Sequence, residues 1–127
     1  MPARTTYEYA VIRLMPRIER GEYINVGVIL YCRAQQFLDA RTALDAARAR
    51  ALFSGVDAAE VEEQLQRIPQ LCRGGADAGP LGQEPLNERF RWLTAPRSTI
   101  LQPSPVHIGL SDDAAATLSR LFAILVE

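Results

Sequence analysis

Lysine is absent from this chain of 127 residues, and all fourteen basic residues are arginine. That absence removes at once the phosphate-loop lysine, the Schiff-base lysine and the strand lysine of kinases. Histidine occurs once and cysteine twice, with neither a Cys-x-x-Cys nor a His-x-x-x-His spacing, so the chain alone does not supply the usual four-ligand zinc site. No acidic cluster points to a carboxylate-bound magnesium or manganese ion. Neither a metal nor an organic cofactor is expected. The glycine patterns Gly-x-Gly-x-x-Gly and Gly-x-Ser-x-Gly are missing as well, which removes the common dinucleotide and hydrolase templates.

Long apolar runs are also lacking. Nothing approaches the roughly 20 residues of a membrane span, and the opening Met-Pro-Ala-Arg-Thr-Thr has no apolar middle region of the secretory kind. The expectation is a soluble cytoplasmic domain with no membrane partner. Fifteen acids against fourteen bases leave a net charge of −1. Such a balance offers no broad footprint for nucleic acid, which is therefore not the expected partner. The arginine skew fits a coding bias toward G and C, and most of these guanidiniums are expected on the solvated surface. A chain of this length makes one ordinary domain and buries roughly two-thirds of its unfolded surface without staples.

What is present begins with strand patterns. Residues 7–15 and 23–32 both alternate, and a symmetric register around the loop 16–22 pairs Leu14 with Ile24, Arg13 with Asn25, Ile12 with Val26, Val11 with Gly27 and Ala10 with Val28. In that register Ile24, Val26, Val28, Leu30 and Cys32 share one face. Tyr23, Asn25, Gly27, Ile29 and Tyr31 share the other, with the glycine leaving a hole beside the amide. A third antiparallel strand is predicted over 36–42 after a short polar turn.

Helical signals follow. Asp45 caps a helix predicted over 45–54, and Asp57 with Glu60 has capping-box spacing before a helix over 58–72, in which Pro69 predicts a kink or a break. Residues 73–85 are rich in glycine and proline and read as a flexible loop, either a lid or a plain surface excursion. A short helix over 86–94 stops before Pro96. Strands over 98–102 and 106–110 flank Pro103-Ser104-Pro105, and Ser111 or Asp112 caps a last helix over 112–126. The sum is an α+β domain with a mainly antiparallel sheet covered by helices on one face.

Candidate chemistry is densest between Arg89 and Gly109. His107 alternates with Val106 and Ile108, so if those two enter the core it points to the opposite face, as a candidate acid or base. The plainer reading is a strand histidine bonded to a neighbour. Arg91 and Arg97 flank a proline turn and are candidates to fork a phosphate or carboxylate, or else to cap carbonyls and pair with nearby acids. Arg13, Asn25, Ser98 and Ser104 complete the candidate ligand set, in which Arg91, Arg97 and His107 converge near Asn25. Tyr7, Tyr9, Tyr23 and Tyr31 share odd parity and form a candidate partner-binding platform, or simply a second packed face of the sheet. Cys32 and Cys72 read as buried small hydrophobes.

Three segments together, Tyr7-Glu-Tyr-Ala-Val-Ile-Arg-Leu-Met-Pro, Glu22-Tyr-Ile-Asn-Val-Gly-Val-Ile-Leu and Arg89-Phe-Arg-Trp-Leu with Arg97-Ser-Thr-Ile, resemble the bacterial family known as domain of unknown function 3037. The resemblance covers nearly the whole chain and brings no catalytic residues with it. It implies a loose association with HipA-like kinases, hence a protein partner and a regulatory role. The expected function is a non-enzymatic regulatory or interaction module, with a homodimer through an edge strand as a further expectation. The alternative is a small enzyme or ligand-binding domain for a phosphorylated or nucleotide-like compound.

Overall fold

The computed structural model describes residues 3–97 and 99–127. Three strands, β1 (Thr5–Leu14), β2 (Ile24–Cys32) and β3 (Phe37–Thr42), make the predicted antiparallel meander. Two short strands, β4 (Leu101–Pro103) and β5 (His107–Ser111), lie end to end along the free side of β1, also antiparallel. With α1 (Ala46–Leu52), α2 (Ala58–Arg73), α3 (Leu86–Leu93) and α4 (Ala114–Leu125), the chain is an α+β protein.

The symmetric register holds only at the hairpin's near end. Leu14 pairs with Ile24 and Arg13 with Asn25, but the next partners are Ile12 with Gly27, Val11 with Val28 and Ala10 with Ile29. Val26 is the extra residue of a β-bulge. The slip turns the strand over: Ile24 and Val26 join Ile29 and Tyr31 in one core, while Val28, Leu30 and Cys32 enter another. Apolar residues occupy both rows of β2, so alternation alone has no polar face with which to fix parity. The hole expected at Gly27 is filled. A Cβ there would stand 2.7 Å from Ile12 Cδ1 and 3.0 Å from the Arg41 carbonyl oxygen.

Both sheet faces are therefore covered, not one. Leu65 of α2 and Phe90 and Leu93 of α3 pack on Ile12, Leu14, Ile29 and Tyr31, whereas Leu118, Leu121 and Phe122 of α4 pack on Tyr7, Val28 and Leu30. Each large side chain buried this way contributes about 1.5–3 kcal/mol of transfer free energy.

Asp45 and Asp57 cap α1 and α2 as predicted, accepting from the amides of Arg48 and Glu60. Helix α2 runs unbroken through Pro69, because buried Val61 and Leu65 before it and Leu71 and Cys72 after it hold both halves to the sheet. The stretch 73–85, expected to be a flexible loop, contains two 3₁₀ turns, Ala76–Ala78 and Pro80–Gln83. Arg89 ties its ends together, donating from Nη1 to the carbonyls of Leu71 (3.1 Å) and Cys72 (2.7 Å) and from Nε to that of Glu84 (2.9 Å). The cap of α4 is Asp113, one residue beyond the expected pair, and Ser111 instead bonds the Thr117 hydroxyl at 2.5 Å. Gln35, in the turn before β3, joins three distant segments: its amide donates to Thr5 Oγ1 and the Ser111 carbonyl, and its oxygen accepts from the Ala114 amide.

Candidate functional site

The candidate ligand residues are dispersed. Asn25 donates to the Leu125 carbonyl at 3.0 Å, closing the end of α4, and lines a small hollow with Leu44, Asp45, Arg48 and Val126. Arg13 lies beside it with its guanidinium 4.4 Å above the Tyr23 ring; its buried Nε has no hydrogen-bond partner. Ser104 is 3% exposed and fully engaged. Its hydroxyl accepts the Val11 amide and donates to the Pro105 carbonyl, and its own amide donates to the Val11 carbonyl, so it bridges the gap between β4 and β5. Arg91 projects from α3 into solvent, 3.7 Å from Glu88. His107 is exposed on β5, its ring 5.2 Å from that of Tyr9. Ser98 lies outside the described residues. The expected convergence of Arg91, Arg97 and His107 near Asn25 does not occur, because they belong to different edges and faces.

The tyrosines are divided too. Tyr7 is buried under α4, while Tyr31, carried to the opposite face by the bulge, stacks on Phe90 with ring centroids 5.4 Å apart. Tyr9 is half-buried, and Tyr23 is exposed beneath Arg13. No four-ring platform forms.

Among the described candidates, Arg97 alone enters a large concavity. This cleft, about 520 Å³, lies between α2, α3, β4 and the 3₁₀ segment. Its floor includes Ile12, Ile29, Leu71 and Leu93, and its walls carry Gln64, Arg67, Asp77, Trp92 and Arg97. Arg97 donates from Nη2 to the Trp92 carbonyl at 2.7 Å and lays its guanidinium 4.3 Å over the indole ring. Partial burial pushes its pKa below the ordinary arginine value. Among the described residues it pairs with no carboxylate. Sequence reasoning missed Gln64 and Arg67, although Gln64, Arg67, Ile68 and Leu71 follow the i, i+3, i+4, i+7 spacing of one helical face.

A second feature is the outer edge of β5. The condition that Val106 and Ile108 enter the core is not met: Ile108 is 72% and Leu110 63% exposed, and Val106 is exposed as well. They lie on the sheet face that α2 and α3 cover elsewhere. The helices stop short of this edge, so the strand keeps its alternation while this row stays exposed. His107, across from Tyr9, accordingly points toward the α4 side.

Both cysteines are free and buried. Burial, with the Asp39 charge adding to it and Arg89 and Arg73 opposing, pushes the Cys72 thiol up to about 12, which makes it a poor nucleophile near neutrality. Among the described residues no group of three His, Cys, Asp or Glu side chains is placed to hold a metal ion, and no helix is long and apolar enough to cross a membrane.

Fold and surface together define a small α+β protein, a five-stranded antiparallel sheet with helices on both faces, a cleft between α2 and α3 and a bare edge along β5. Residues 9–126 match the model of the family described as Protein of unknown function (DUF3037), and the chain belongs to that family. No curated protein and no solved structure shows a significant match to it.

Proposed function

We propose that the chain is a non-enzymatic interaction module, regulatory in role, that receives an extended segment of a partner protein along β5. The observation that carries this reading is the undefended edge. Edge strands are normally blunted by charged residues, prolines or bulges, yet β5 reads His-Ile-Gly-Leu-Ser and presents Ile108 and Leu110 to solvent. An added strand would pair with the outward backbone groups of β5 and cover this apolar row, the mode of recognition in which main-chain bonds supply affinity and alternate side chains supply specificity.

The dispersal of Arg91, His107, Asn25 and Ser104 favours this reading over catalysis. A second copy of the chain is the less favoured occupant. A five-residue edge meeting another globular edge offers little toward the roughly 800 Å² per partner of a stable interface, whereas an extended peptide uses the whole strand. Because the family resemblance implies a loose association with HipA-like kinases, such a kinase is the first partner to assay.

The test is capture of the tagged chain from its host at normal expression, beside an Ile108→Glu, Leu110→Glu variant. Both positions are exposed, so the variant should keep its circular dichroism and its melting midpoint. A stoichiometric protein held by the wild type and lost from the folded variant is the expected result. Equal capture by both, or no stoichiometric partner at all, would overturn the proposal.

A further inference from the structure

The cleft between α2 and α3 is independent of the β5 edge and has a chemistry of its own. Its size lies within the range of small-molecule sites, and its composition is the usual one for them, an apolar floor with a few placed polar groups. Ile12 and Ile29 form part of the floor, so the cavity reaches down to the sheet between the helices. Trp92, the chain's only tryptophan, is 46% exposed beside it.

Arg97 supplies the polar anchor. The indole covers one face of its guanidinium, and a single described hydrogen bond, to the Trp92 carbonyl, uses one of five N–H donors. A planar fork held in this way is partly desolvated and forms no ion pair with a carboxylate among the described residues. Arg67, across the cleft on α2, adds a second cation whose contact with Glu63 is loose at 3.6 Å. Asp77 is the one acid among the lining residues, leaving a positive balance.

We propose that this cleft binds a small organic carboxylate, its apolar body on Ile12, Ile29, Leu71 and Leu93 and its acid group on the Arg97 fork, with Arg67 at the rim. A phosphorylated or nucleotide-like compound fits less well, because its several charges and polar sugar would meet a mostly aliphatic floor.

Trp92 reports on the site directly. The probes are hexanoate, decanoate and 4-phenylbutyrate, each titrated beside its neutral amide while the tryptophan emission is followed. The expected result is saturable change with at least one acid, with affinity roughly tenfold above that of its amide, as a charge-assisted bond to a partly desolvated guanidinium predicts. Arg97→Gln should bring acid and amide to parity, Arg97→Lys should keep part of the preference, and Arg91→Gln, outside the cleft, should leave it intact. Melting midpoints check that each variant is folded. If no acid saturates the signal, if acid and amide bind alike, or if folded Arg97→Gln keeps the preference, the proposal is wrong. Binding to the Ile108→Glu, Leu110→Glu variant should be unchanged, which separates this outcome from that of the edge.

Discussion

Val11 and Ser104 exchange two hydrogen bonds of 2.8 Å each, the Val11 amide donating to the Ser104 hydroxyl and the Ser104 amide to the Val11 carbonyl. The pair keeps the ladder closed where the partner of β1 changes from β4 to β5. Ser104→Ala leaves the buried Val11 amide without an acceptor, and a loss of about 1–3 kcal/mol is expected. Denaturant unfolding measures it. A change below about 0.5 kcal/mol would mean that water replaces the hydroxyl and that the serine is not the splint of this edge.

The bulge makes a second prediction. A Cβ at Gly27 would meet Ile12 Cδ1 at 2.7 Å and the Arg41 carbonyl oxygen at 3.0 Å, one contact a fully buried side chain and the other backbone. Gly27→Ala should therefore destabilise by about 1–3 kcal/mol. Gly21→Ala is a different case: it stands in open space at a φ of +70°, so its cost is backbone strain alone. The two melting midpoints separate crowding from strain, and an unaffected Gly27→Ala would remove the argument for the bulged register.

Cys72 predicts a pH dependence. Its thiol is raised from 9.0 to about 12 in the folded chain, so the folded state holds the proton more tightly. Below the unfolded value both states are protonated and the contribution to stability is whole. Between 9.0 and about 12 the unfolded chain releases its proton first, and stability is lost as pH rises. The difference in unfolding free energy between wild type and Cys72→Ala should shrink through that window, by at most about 1.4 kcal/mol per pH unit. A difference that stays flat from pH 8.5 to 10.5 would show that the thiol is not held protonated by its surroundings.

The elements were legible where local chemistry decides them. Asp45 and Asp57 cap their helices, and the meander follows the alternation of β1 and β2. What stayed hidden depends on neighbours distant in the chain. Apolar residues on both rows of β2 concealed the one-residue slip at Val26, and with it the separation of Tyr31 from Tyr7. Pro69 suggested a kink or a break, and α2 continues through it without a break, with Leu65 and Leu71 buried on either side. Val106 and Ile108 had the right period for a core strand, but no local signal says that the helices end before reaching them. Of the candidate ligand residues that are described, Arg97 alone lines the cleft, because convergence is a property of tertiary packing and not of composition.

The proposed completion of β5 by a partner strand is tested most directly by amide hydrogen exchange of the chain, free and with its captured partner. Outward-facing amides between His107 and Ser111 should exchange readily in the free protein and slow at least tenfold in the complex, with α4 and the cleft little changed. Unchanged exchange along β5, with protection appearing on α4 or around Trp92 instead, would contradict it.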